Sequence, residues 1–266
     1  MDLLCPVCGK RLEERGRSRF CENSHCFDTA KEGYVNLLCG TKAGEGIGDN
    51  KEMALSRRDF LSKGYYAPLA DALCEIVRRS KTGGELLDIC CGEGYYTAYM
   101  AEKLPSFTVS GFDISKEMIK LAAKRKSRAS FFVANMTDIP VADKCADVVT
   151  HLFAPFCAAE FSRVLKDDGV LLSVVSGEKH LYSLKSVLYE KPYMNDEAPP
   201  DADGFVLLDK VKVSAEICLS SNADIMSLLR MTPYYYHTPS EGLRRLEALS
   251  TLTTETEFVI YVYKKR

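Results

Sequence analysis

The first 26 residues leave this chain few ways to begin folding. They carry Cys5-x2-Cys8, then twelve residues, then Cys21 with His25 and Cys26 close behind. A segment this short has too little core to fold unaided. Two pairs of soft ligands on separate knuckles supply the sulfur and nitrogen donors of a tetrahedral Zn²⁺ site. Pro6 and Gly9 bracket the first knuckle as turn residues. Cys5, Cys8 and Cys21 are the expected ligands, with His25 or Cys26 as the fourth. Four protein ligands leave no open position for water, so the metal is expected to be structural.

The chain has 266 residues and 11 cysteines, an odd number in a chain long enough to build a core, so reduced thiols are expected. The cysteines beyond the front cluster mostly sit in apolar stretches, where a free thiol acts as a small hydrophobe. Net charge is −2, which does not mark a bulk nucleic-acid binder. Local charge is less even: Lys10, Arg11, Arg15, Arg17 and Arg19 crowd the front cluster, whereas Lys120 to Arg128 reads as a solvated face. No apolar run approaches the ~20 residues of a membrane-spanning helix, and the start lacks an export signal. A cytoplasmic location without membrane partners is expected.

Three regions follow from the pattern. Residues 1–38 read as the zinc-binding module, and 39–50, with four glycines, as a flexible linker. Residues 51–266 read as the main domain. Two helices are expected between Lys51 and Arg79, broken near Gly64 and Pro68. From Glu85 to Val175 short apolar runs alternate with helical stretches, the mark of βαβ units and a mostly parallel sheet. Phe205 to Cys218 alternates as a strand, Asn222 to Met231 is helical, and Phe258 to Tyr263 closes the chain as a buried strand. An antiparallel end on a parallel sheet is expected, giving a Rossmann-like α/β fold.

Leu86 to Tyr96 (LLDICCGEGYY) is a buried strand entering a glycine turn that opens a helix. Gly92 and Gly94 let the backbone approach a ligand at the carboxyl end of the strand, where open α/β sheets bind nucleotides. A second strand ends in Asp113, at the spacing of an acid that accepts ribose hydroxyls. Asp88, just before the turn, would repel a pyrophosphate and favours the cationic S-adenosylmethionine over a dinucleotide. Asn135, after the third strand, is a candidate polar contact near the adenine or a turn residue.

These residues place the chain in a resemblance. It is similar to bacterial 23S ribosomal RNA guanine-N1 methyltransferases, which join a zinc module to a class I methyltransferase fold. The similarity rests on Cys5-Pro6-x-Cys8, Cys21-x3-His25, Ala30-Lys31-Glu32-Gly33-Tyr34-Val35-Asn36-Leu37-Leu38, Arg57-Arg58-x-Phe60-Leu61, Tyr66-x-Pro68-Leu69, Cys91-Gly92-Glu93-Gly94-Tyr95-Tyr96-Thr97, Ala154-Pro155, His180-Leu181 and Met231-Thr232-Pro233. It implies His25 as the fourth zinc ligand, and Tyr66, Gly92, Glu93, Asp113 and His180 around S-adenosylmethionine. It also implies a homodimer and a 23S rRNA hairpin as partner. Cys90 departs from the pattern, standing where methyltransferases commonly have glycine.

N1 of guanine is protonated and lies on the Watson–Crick edge, so the base must be unpaired and lose a proton. The sequence does not single out a catalytic base; a carboxylate and His180 are both open. Phe153, Phe156 and Tyr234 are candidate stacking groups, with core packing the default. Arg11, Arg15, Arg17, Arg19, Arg57 and Arg58 are candidate phosphate contacts. A small-molecule S-adenosylmethionine-dependent methyltransferase is the alternative, favoured by the near-neutral charge.

Overall fold

A computed structural model of the chain describes residues 1–39 and 51–266. The expected linker, 39–50, lies outside the described residues except for Cys39. Strands β1 (Glu13–Arg15), β2 (Ser18–Phe20) and β3 (Cys26–Asp28) form a small antiparallel sheet. The next strand, β4 (Val35–Asn36), leaves it for the edge of the large sheet. Helices α1 (Lys51–Ser62) and α2 (Ala67–Ser80) follow, broken at Gly64 and restarted with Pro68 in the first turn of α2, where its missing N–H costs nothing.

The expected alternation is then realised. Strand β5 (Gly84–Ile89) leads through α3 (Tyr95–Lys103) to β6 (Phe107–Asp113), and α4 (Lys116–Ala123) leads to β7 (Ser130–Val133). Strand β8 (Ala146–Leu152) and α5 (Ala158–Val164) come next, then β9 (Leu165–Ser176), α6 (Tyr182–Leu188), β10 (Phe205–Leu219), α7 (Asn222–Arg230), α8 (Ser240–Glu247) and β11 (Leu252–Lys265). The large sheet runs β10-β11-β9-β8-β5-β6-β7-β4. Its members from β9 to β4 pair parallel, whereas β11 and β10 are antiparallel.

The order fixes where a ligand can sit. From β5 the chain builds outward on one side through β6 and β7, then returns to build β8 and β9 on the other. A crevice therefore opens at the carboxyl end of β5, the switch point of an open α/β sheet. Strand residues divide between two cores because successive side chains face opposite ways. Leu86, Val109, Val148 and Leu172 pack with Leu69 and Leu73 of α2, while Leu87, Phe112, Val149 and Leu171 pack with Phe161 of α5. The second core also takes in Leu3, Cys5, Leu12 and Cys21 of the front module. A bridge from Leu3 to Val141 adds a backbone tie.

Candidate active site

At the end of β5, Asp88 is buried and both of its oxygens are engaged. The Thr97 hydroxyl donates to Oδ2, and the Thr150 hydroxyl donates to Oδ1 at 2.8 Å. Burial pushes its carboxyl up to about 6, against the pull of the two hydroxyl donors, with the nearby charge of Asp113 adding to the rise. Asp113, at the end of β6, accepts from the Gly92 N–H at 3.0 Å and the Ser115 N–H at 2.8 Å. Its carboxylate is thus held fixed beside the turn.

The turn is shaped by left-handed residues. Gly92 has φ +57° and open space where a Cβ would lie, which leaves its surface to a ligand. Gly94 has φ +78°, and a Cβ there would come within 2.6 Å of the Ala122 Cβ, so the turn before α3 passes close against α4 at this point. Cys90 adopts φ +56° despite its side chain, as do Phe153 (φ +55°) beyond β8 and Leu181 (φ +56°) beyond β9. Each carries roughly 1–2 kcal/mol of left-handed strain, and all three lie past the carboxyl ends of strands around the crevice. The Cys90 thiol donates to Met136 Sδ at 3.6 Å.

Glu93 is buried and its carboxylate is turned to the Arg125 guanidinium, which also bonds the Glu93 carbonyl at 3.0 Å and lies over the Tyr95 ring. Asn135 accepts from the Thr137 N–H at 3.1 Å, closing a local turn beside Met136.

A cavity of about 590 Å³ opens on the β8 and β9 side of the crevice. That is within the range of small-molecule sites. Tyr66, Tyr96, Phe153, Phe258 and Tyr234 supply aromatic walls, and Arg57 and His180 line it too. Two of the three proposed stacking groups therefore reach it. Phe156 does not, packing instead among His151, Phe161 and Phe205. His180 accepts from the Glu257 N–H through Nδ1 at 3.2 Å. Its neutral ring then carries the proton on Nε2, which faces the Tyr66 hydroxyl at 3.4 Å. Burial depresses the His180 pKa to about 3, helped by Lys185, and that of His151 to about 4. Both are poor bases. Among the described residues no carboxylate lines the cavity.

Sequence reasoning missed two features of this wall. His151 sits inside an apolar strand and gave no signal. Tyr96 follows Gly94 closely enough to be placed in the first turn of α3, yet nothing in the pattern marked its hydroxyl, which is buried without a hydrogen-bond partner among the described residues. Of the proposed cofactor residues, Tyr66 and His180 face the cavity, while Asp88, Gly92, Glu93, Gly94, Asp113 and Asn135 lie around the turn and the ends of β5 to β7.

In the front module the ligand atoms of Cys5, Cys8, Cys21 and His25 lie within 4.8 Å of one another. His25 Nδ1 is 3.4 Å from the sulfurs of Cys5 and Cys21, and Cys8 Sγ is 3.6 Å from Cys21 Sγ. Tetrahedral Zn–S bonds of ~2.3 Å require sulfurs roughly 3.8 Å apart, so the set fits the ion. Cys26 points to solvent from β3. The arginines nearby are matched by acids: Arg11 with Asp2, Arg15 with Glu13 and Arg19 with Glu14.

A switch-point turn flanked by two strand-end acids is the nucleotide-binding arrangement of class I S-adenosylmethionine-dependent methyltransferases. Comparison with known families agrees: residues 86–169 match the family described as "Methyltransferase domain", and residues 3–42 match the zinc ribbon described as "RlmA, N-terminal". A 23S rRNA (guanine(748)-N(1))-methyltransferase of Streptomyces fradiae is 35% identical over 70% of this chain and 67% of its own length. A protein of Micromonospora griseorubida, provisionally named a 23S rRNA (guanine-N(1)-)-methyltransferase, is 30% identical over 97% of this chain and 95% of its own. A Bacillus subtilis protein with the same provisional name is 30% identical over 96% and 95%. This chain belongs to the family of 23S rRNA (guanine-N1)-methyltransferases.

Proposed function

We propose that this protein methylates N1 of a guanine in a 23S rRNA hairpin, using S-adenosylmethionine. The observation that carries the reading is an aromatic cavity that includes Tyr96, from the first turn of the helix that the glycine turn opens, at a switch point whose strand ends supply Asp88 and Asp113. Asp113 accepts the ribose hydroxyls; Gly92 leaves room for the ligand above the turn; Tyr66 and His180 line the cavity end of the same cofactor. Glu93 acts from behind, its ion pair with Arg125 bracing the turn, and Asn135 shapes the loop near the adenine. When bound, S-adenosylmethionine supplies an electrophilic methyl and a neutral thioether leaving group. Phe153 and Tyr234 then hold the unpaired base, and transfer depends chiefly on positioning.

Cys5, Cys8, Cys21 and His25 hold zinc in a purely structural role. Among the described residues no helix is long and apolar enough to cross a membrane. A cytoplasmic homodimer, with the front module, the linker at 39–50 and the methyltransferase domain forming each subunit, completes the reading. Purified protein incubated with S-adenosylmethionine and unmodified 23S rRNA is expected to yield 1-methylguanosine by nucleoside mass spectrometry. Cofactor binding without that product would defeat the proposal and leave a small-molecule acceptor.

A further inference from the structure

The walls of the cavity are unequal in one respect. The polar groups whose bonds are described mostly spend them within the protein: Arg57 Nη2 on the Met231 carbonyl at 3.2 Å, the Tyr234 hydroxyl on Asn195 at 3.2 Å, the Thr232 hydroxyl on the Leu229 carbonyl at 2.8 Å. The Tyr96 hydroxyl does not. That hydroxyl is buried with no partner among the described residues, and Tyr96, which lines the cavity, is only 8% exposed. Leaving such a group unmatched is unfavourable, and here the unmatched group belongs to a residue of a ligand-sized cavity.

What would match it is an acceptor. A phenol left without a partner can donate to one, and the Tyr66 hydroxyl on the same cavity is a second possible donor. Guanine shows acceptors at O6 and N7, whereas adenine places the N6 amino donor where guanine has O6. A hydroxyl donor here therefore suits the O6 acceptor of guanine. It also matches the reaction. With no carboxylate lining the cavity among the described residues and burial making His151 and His180 poor bases, the N1 proton leaves to water, and the negative charge left behind is shared between N1 and O6. The N1 electron pair then takes the methyl carbon as the carbon–sulfur bond breaks.

We infer that Tyr96 is a catalytic residue, its hydroxyl donating to O6 of the acceptor guanine and stabilising the charge that forms there. The inference rests on the guanine reading proposed above.

Tyr96→Phe keeps the buried ring and removes only the hydroxyl. Its apo melting temperature is expected to equal or exceed that of the parent, because no protein bond is lost. Affinities for S-adenosylmethionine and for the rRNA hairpin should hold within about twofold, while kcat for 1-methylguanosine falls by roughly 10²-fold, as when one oxyanion donor is removed. Wild-type kcat in the variant would overturn the inference, as would weakened cofactor affinity, which would assign the hydroxyl to the cofactor. If the parent protein itself makes no 1-methylguanosine, the guanine reading fails first, and the two failures are told apart.

Discussion

Asp88 shows how one side chain couples site chemistry to pH. Burial raises its carboxyl to about 6, above the ordinary carboxylate value. Between roughly pH 4 and 6 the folded protein therefore holds a proton that the unfolded chain has released, and stability falls as pH rises through that window. A cationic ligand works the other way, because it favours the ionised form. Affinity for S-adenosylmethionine is expected to rise about tenfold from pH 5 to pH 7 and then level off, with a proton released on binding near pH 6. Calorimetric titration at these pH values checks this, and Asp88→Asn should flatten the trend. Constant affinity across the range would show that Asp88 does not sense the ligand's charge. The residue types of this site were legible: acid, glycine turn, second acid. What each acid touches was not, since Thr150 lies 62 positions from Asp88 and only the fold joins them.

At the scale of elements, the alternating strands and helices from β5 to β9 were readable because buried parallel strands are uninterrupted apolar runs. The missed elements explain themselves. Helix α6 has only seven residues and buries Leu184, Leu188 and, unusually, Lys185, whose ammonium reaches Asn195 at 2.9 Å. Helix α8 buries only Gly242 and Leu246, too little for a periodic signal. Strand β11 begins six residues before its apolar run, because Leu252 to Glu257 pair with β10 although their sequence is Thr- and Glu-rich. The glycine turn yields the element-scale prediction. Gly94→Ala would force a Cβ into Ala122 at a positive φ, splaying α3 from α4. A loss of about 2–4 kcal/mol is expected in chemical denaturation, with cofactor affinity falling alongside. Unchanged stability would mean that the two helices do not depend on this contact.

Over the whole molecule, the zinc ribbon and the methyltransferase sheet share a core, as Leu3, Cys5, Leu12 and Cys21 pack among residues of β5, β6 and β9. Sequence spacing pointed to Cys5, Cys8 and Cys21 with His25 or Cys26, and the family resemblance to His25, but neither gave this union, since nothing local in residues 1–38 announces which distant surface they cover. Stripping zinc with a chelator is accordingly expected to lower the melting temperature of the entire protein by at least about 5 °C, the ribbon and the sheet responding together. A ribbon that unravels while the main transition stays fixed would contradict this. The strand after the ribbon carries the same lesson further. By lying along β7, β4 caps that flank of the sheet. A shortened chain starting after residue 38 would bare the β7 backbone together with apolar surface the ribbon now shields. Such an uncapped flank is a template for self-association, so the ribbon also keeps this protein from aggregating with its own copies.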